Sequence, residues 1–247
     1  MIGAVVLVDL DDTLFQTRRK CPPHLDDGDL TTLAVDRAGA PLGFATPRQA
    51  SFLRWLSGTA LMVPVTGRSL EALRRVHLPY ASAVCAHGGV VLGSEGELDA
   101  EWAAAMRAAS AGDADMLDAL TGAIAAAAER MDEPVTARVL REDGIPLYVV
   151  AKHDAADADA LARVVEAAVP GPPPGWAGHR NGNNVAFLPP WLGKRQAVEH
   201  LLPGLRRAWP DVPFIGIGDS VTDAAFMGLC DFAMLPIGSQ LGAAVLG

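Results

Sequence analysis

The apolar run from Ile2 to Val8 stops abruptly at Val8-Asp9-Leu10-Asp11-Asp12-Thr13-Leu14. The run is too short to cross a membrane but suits a buried strand. Side chains alternate along an extended chain, so Asp9 and Asp11 face one way and Leu10 the other. Carboxylates at the end of a buried strand are costly unless a cation neutralises them. A hard cation such as Mg²⁺, held through a few oxygens, makes the arrangement tolerable. Acids that merely open a polar turn are a second reading. A calcium loop is a third, and it fails because its turn glycine and closing glutamate would fall on Leu14 and Lys20.

The rest of the chain must supply a sheet for that strand. With 247 residues, 50% of them hydrophobic, it can bury one large domain or two modest ones. Strand-like and helical runs alternate at both ends, which predicts a parallel sheet covered by helices. The first strand is expected over 4–10, followed by a hairpin around Asp36-Arg37-Ala38-Gly39. Thr46-Pro47 then gives a cap and a first-turn proline for a helix carrying Phe52, Leu53 and Leu56 inward. A second strand over 60–65 ends in Thr66-Gly67-Arg68, Ser69 caps the next helix, and 82–86 forms a third strand.

The middle has a different texture. Alanine-rich helical sequence around Gly112 precedes two strands joined at Asp143-Gly144, a hairpin signal. A helix over 157–168 and the stiff connector Pro170 to Gly175 follow. Two more strands then flank Asn181-Gly182. This block reads as an inserted α+β domain, 88–187, between the two parts of a core, 1–87 and 188–247. The α/β texture resumes with a helix over 194–208, a strand over 212–217, Gly218-Asp219-Ser220-Val221-Thr222-Asp223 and a last strand over 231–235.

Charge and composition exclude some partners. A net charge of −9 argues against nucleic acid. Neither a basic-then-apolar leader nor a run of about 18 apolar residues is present, so a soluble cytoplasmic protein is expected, without a membrane partner. Cys21, Cys85 and Cys230 follow no metal-ligand pattern and read as free thiols of a reducing compartment.

Four elements stand at strand ends or a helix start, where open α/β sheets place ligand sites: the Asp9/Asp11 loop, Thr66-Gly67-Arg68, Lys194 and Asp219/Asp223. In this order they resemble the four motifs of haloacid dehalogenase (HAD) superfamily phosphatases. The resemblance implies a doubly wound, Rossmann-like core and a phosphoric monoester hydrolase. In that scheme Asp9 is the nucleophile that forms an aspartyl-phosphate, and Asp11 is the general acid and then base. Thr66 and the Gly67 amide hold phosphoryl oxygens, and Lys194 neutralises charge on the phosphate and the nucleophile. Mg²⁺ is held by Asp9, the Asp11 carbonyl and Asp219, while Asp223 either binds the metal through water or orients its ligands. The inserted block resembles a C2-type cap, which closes over the alcohol end of the substrate. The Gly-Asp-Ser-x-Thr-Asp form and Pro236-x-Gly238-Ser239-Gln240 resemble the sucrose, trehalose and mannosylglycerate phosphate phosphatases, which implies a sugar phosphate as the small-molecule partner.

Each residue also has a plainer role. Lys194 alone would be a solvated helix residue, and neighbouring Arg195 is an alternative cation. Asp219 or Thr222 could cap the following helix, with capping preferred for Thr222, and Arg68 is expected to pair with a carboxylate and not with substrate. His87 either lines the site or serves the domain junction. Asp12 stands where many relatives carry glycine. The tip His179, Arg180, Asn181 and Asn183 is the candidate substrate contact, with an ordinary solvated turn as its rival, while Lys152 and His153 read as surface charge. Two other functions fit the motifs: a phosphotransferase or phosphomutase, and a phosphate- or metal-binding regulatory module without turnover.

Overall fold

A computed structural model describes residues 2–180 and 182–247. In chain order its strands and helices are β1 (Ala4–Val8), β2 (Thr31–Val35), β3 (Pro41–Ala45), α1 (Pro47–Thr59), β4 (Ala60–Pro64), α2 (Leu70–Leu73), β5 (Ala83–Cys85) and β6 (Val90–Leu92). Then come α3 (Ala100–Ser110), α4 (Ala114–Arg130), β7 (Val135–Glu142), β8 (Ile145–His153), α5 (Ala158–Ala168), β9 (Ala177–Arg180) and β10 (Val185–Leu188). The chain finishes with α6 (Lys194–Ala208), β11 (Phe214–Ile217), α7 (Ala224–Met227), β12 (Phe232–Met234) and α8 (Gln240–Leu246).

Two compact units divide the chain, one comprising 1–102 and 194–247, the other 103–193. The divisions fall later than positions 87 and 188. Val90–Leu92 turns back antiparallel onto Ala83–Cys85, and the Trp102 indole N–H donates to the Gly88 carbonyl at 2.8 Å. A buried indole N–H needs such a partner, which ties 88–102 to the first unit.

In the first unit a parallel sheet runs β12-β11-β1-β4. Val5 to Val8 pair with Phe214 to Ile217 on one side and with Leu61 to Pro64 on the other. β1 is therefore central, and its four buried residues Val5 to Val8 form the floor of the core. The chain leaves β1 for β4 on one side and returns to β11 on the other, the switch at which such sheets open a ligand crevice. β5 extends this edge through a parallel bridge between Val65 and Val84. The strand stops at Val8, short of the expected Leu10, because the chain turns: Leu14 N–H bonds the Leu10 carbonyl and Asp12 adopts φ 64°. β11 begins at Phe214, after Pro213, which has no N–H to donate.

Local signals set several boundaries. Thr46 accepts from the Gln49 N–H while Gln49 reaches back to the Thr46 N–H, and Pro47 opens α1. Leu53 and Leu56 are buried on that helix, whereas Phe52 is half-buried. Ser69 caps α2 through the Ala72 N–H. The expected hairpin appears as β2 and β3, paired antiparallel.

The second unit is an antiparallel sheet, β7-β8-β10-β9, with α4 and α5. Leu117, Leu120 and Ile124 of α4, with Leu161, Val164 and Val165 of α5, pack on Val149, Ala151, Val185 and Phe187 of the sheet. Cys21 and Cys85 are buried, and burial pushes the Cys230 thiol up to about 11. Among the described residues no helix is long and apolar enough to cross a membrane.

Candidate active site

Asp9 is the first residue beyond β1, and its N–H still donates to the Ile217 carbonyl at 2.8 Å. The backbone is thus held by the sheet where the side chain enters the crevice. Lys194, first residue of α6, places its ammonium 2.6 Å from Asp9 Oδ1 and 2.6 Å from Asp223 Oδ1. Its charge also lies 5.8 Å from the centre of the Phe226 ring. Asp223 is fully buried; its second oxygen accepts from the Ser220 N–H at 3.0 Å and the Ser220 hydroxyl at 2.7 Å. Gly218 makes room for it, since a Cβ there would stand 2.5 Å from that of Asp223.

One ammonium between two carboxylates leaves one negative charge over, and Asp219 adds another. Carboxylate oxygens of Asp9, Asp219 and Asp223 all lie within 4.8 Å of one another. Burial pushes Asp9 up to about 7 against the pull of Lys194, with repulsion from Asp223 helping to raise it. Burial, with repulsion from Asp223 and Asp12, lifts Asp219 to about 6. Burial works to lower Lys194, yet the carboxylates of Asp9 and Asp223 hold it above the ordinary lysine range. Two uncompensated charges on hard oxygens fit a divalent cation of the Mg²⁺ type.

Thr13 joins the acids. Its hydroxyl lies 3.2 Å from Asp9 Oδ2 and 3.3 Å from Asp219 Oδ1. Sequence reasoning assigned no role to Thr13 or Ser220; their positions beside the acids, Thr13 four residues after Asp9 and Ser220 directly after Asp219, were the available signal. Asp219 also borders a cavity of about 360 Å³ whose other walls include Asp12, Lys20 and Gln240. Asp12 forms an ion pair with Lys20 there.

On the other side of β1, Thr66 follows β4 and is buried; its N–H donates to the Val84 carbonyl, and its hydroxyl accepts from the Arg68 N–H. Gly67 packs against the ring of His87. Arg68 does pair with a carboxylate, and the partner is Asp11: Nε to Oδ2 and Nη2 to Oδ1, both 2.7 Å. Thr222 does not cap a helix. α7 starts after Asp223, and the Thr222 hydroxyl is 2.8 Å from that of Ser220.

The remaining candidates lie in the second unit. His179 and Arg180 are on β9, where Arg180 Nη2 donates to the Ala158 carbonyl at 2.9 Å. Asn183 gives both ends of its amide to the backbone of His153: Oδ1 accepts from the N–H at 3.0 Å and Nδ2 donates to the carbonyl at 2.6 Å. Asn181 lies outside the described residues. His153 is buried, not a surface charge. Its Nδ1 accepts from the N–H groups of Ala155 and Asp157, and Nε2 lies 3.3 Å from Glu133.

A parallel sheet whose chain order reverses at an acidic crevice, with a separate α+β unit inserted in the chain, is the architecture of the HAD-type α/β fold. Solved structures with this fold include a trehalose-6-phosphate phosphatase related protein, 19% identical, TM-score 0.50, over 94% of this chain and 86% of the other. Another is the C-terminal domain of C. albicans trehalose-6-phosphate phosphatase, 16% identical, TM-score 0.52, over 91% of this chain and 73% of the other. No protein-family model matches the chain, and no curated protein does.

Proposed function

We propose that this chain is a Mg²⁺-dependent phosphomonoester hydrolase that works through an aspartyl-phosphate on Asp9. The observation that carries the reading is Lys194 bridging Asp9 and Asp223 where β1 ends, beside a third carboxylate, Asp219. A nucleophile for phosphoryl transfer must be ionised yet screened from the phosphate dianion it attacks. Lys194 keeps charge balance at Asp9, and the Thr13 hydroxyl orients its other oxygen. Thr66 and the Gly67 N–H, at the end of the neighbouring strand, would receive phosphoryl oxygens. Asp11 would give its proton to the leaving oxygen and take one from water in the second step.

Asp9, Asp219 and Asp223, with the Asp11 carbonyl, would hold the Mg²⁺ ion. When bound, it supplies positive charge to the phosphoryl oxygens as the ester bond breaks. The inserted unit would act as a C2-type cap that selects the alcohol, with His179 and Arg180 as its candidate contacts. Of the two solved structures named above, one is a trehalose-6-phosphate phosphatase domain and the other is described as related to such a phosphatase, which supports a sugar phosphate as the substrate class.

The test is a phosphate-release screen over sugar phosphates, nucleotides and phosphoglycerate-type esters with Mg²⁺, each with and without an acceptor sugar. Free phosphate from at least one ester, lost in Asp9→Asn, is the expected result. Transfer to the acceptor without free phosphate would replace the hydrolase with a phosphotransferase. Unchanged turnover by Asp9→Asn would overturn the nucleophile.

A further inference from the structure

We propose that Arg68 is the positioning residue for Asp11, holding its carboxyl group in one orientation through both halves of the reaction. The inference rests on the phosphohydrolase reading and adds a residue to which that reading gives no part.

The contact is a fork on a fork, with Nε and Nη2 each 2.7 Å from a different Asp11 oxygen. Two parallel bonds fix the plane of a carboxyl group, where one would leave it free to rotate. Of the two partners, Arg68 is the better anchored. Its side chain is 14% exposed against 37% for Asp11. Its guanidinium carbon lies 5.1 Å from the centre of the fully buried Phe15 ring. Its backbone is tied on both sides, the N–H to the Thr66 hydroxyl at 3.1 Å and the carbonyl to the Ala86 N–H at 2.6 Å. Arg68 therefore carries the position of β4's end across to Asp11, in the loop beyond β1.

The chemistry explains why two points of contact matter. In the first half, an Asp9 oxygen bonds to phosphorus and the ester P–O bond breaks. The leaving oxygen keeps the electron pair and takes the proton from Asp11. In the second half, a water oxygen bonds to phosphorus and the Asp9–phosphorus bond breaks, while the water proton passes to the Asp11 carboxylate. Asp11 thus alternates between carboxyl and carboxylate. A partner gripping one oxygen loses much of its hold whenever that oxygen is protonated, because a carboxylic hydroxyl accepts far more weakly than a bare carboxylate oxygen. The fork keeps one bond to the bare oxygen while the other oxygen presents or receives the proton.

The experiment compares kcat/KM for p-nitrophenyl phosphate and for an alkyl phosphate in the parent protein, Arg68→Met and Arg68→Lys. kcat/KM stops at the first irreversible step, the transfer to Asp9. A nitrophenolate leaves without a proton, whereas an alkoxide needs one. Arg68→Met is expected to lose about 10²-fold or more with the alkyl ester, the scale of general acid catalysis, and less than about 10-fold with the aryl ester. Arg68→Lys, with the charge but not the fork, is expected to fall between them on the alkyl ester. Thermal melting checks folding, and the lysine variant decides the matter if the methionine variant does not fold. Equal losses with both esters would make Arg68 a phosphate-binding or structural residue and overturn the proposal, as would no loss or a gain. The alkyl ester is the sugar phosphate turned over fastest in the screen above; if the parent protein released phosphate from none of those esters, the phosphohydrolase reading would fall and this role with it. Turnover of both by the parent, with a uniform loss in the variants, would overturn the role of Arg68 alone.

Discussion

Gly67 lies against the ring of His87 so closely that a Cβ at position 67 would stand 2.5 Å from Cε1. Sequence reasoning gives this glycine to the approach of a phosphate; the structure shows that a buried imidazole already occupies its open side. His87 is itself constrained, with φ 57°, and follows Ala86 at φ 51°. Its N–H donates to the Thr66 carbonyl at 3.2 Å. The ring is thus braced against the strand end and has little room to retreat.

Gly67→Ala should therefore destabilise the protein by about 1–3 kcal/mol, the usual cost of overpacking. Urea unfolding measures it. The cost should shrink in a His87→Ala background, since removing the ring frees the space the new methyl needs. A double-mutant cycle with no coupling between 67 and 87 would refute the contact.

Lys194→Met should be among the most damaging single changes. It leaves Asp9 and Asp223, both buried, without their shared cation. Breaking a buried pair from one side costs about 3–5 kcal/mol because the surviving charge is stranded. Adding Asp9→Asn to Lys194→Met should recover part of that loss, as the amide removes one stranded charge. Denaturant midpoints of the single and double variants test this directly.

The elements of the fold were legible wherever the signal is local. Thr46-Pro47 caps a helix through contacts within four residues, and Lys194 to Ala208 matches the expected helix end to end. Strand ends were less legible because they depend on turns such as the left-handed Asp12. The site is a different case. Asp9 and Lys194 are 185 residues apart, so periodicity and turn chemistry cannot bring them together, and only the resemblance of four ordered motifs did so. Contacts carried by no motif stayed hidden, including the partner of Arg68, the Thr13 bridge and the ring beside Gly67. A buried His153 was missed for a related reason: Lys152-His153-Asp154 reads as polar sequence, while the burying contacts come from Glu133 and Asn183.

Asn183 illustrates the same limit in the second unit, where its amide clamps the backbone of His153 from both sides. Asn183→Ala should lose about 1–3 kcal/mol, since it deletes two hydrogen bonds and leaves backbone groups to find new partners. Hydrogen exchange should show the effect at the His153 N–H, whose protection should fall with the variant. Unchanged exchange there would mean that the clamp does not hold in solution.

The acidic crevice should make the metal-free protein less stable as pH rises, the reverse of a carboxylate held by salt bridges. Burial raises Asp9 to about 7 and Asp219 to about 6, both above the value near 4 of an unfolded carboxylate. Between about pH 4 and pH 7 the folded protein keeps protons that the unfolded chain has released, so unfolding releases protons and stability falls with rising pH. Asp9→Asn should flatten that slope, because the amide neither binds nor loses a proton. Mg²⁺ should flatten it as well by favouring the ionised acids, and at about 100 times its dissociation constant it should add roughly 2.7 kcal/mol. Thermal melting from pH 4 to pH 8, with chelator and with Mg²⁺, separates these contributions. A chelated protein that grew steadily more stable up to pH 7 would show that Lys194 alone neutralises the cluster, removing the electrostatic argument for a bound cation.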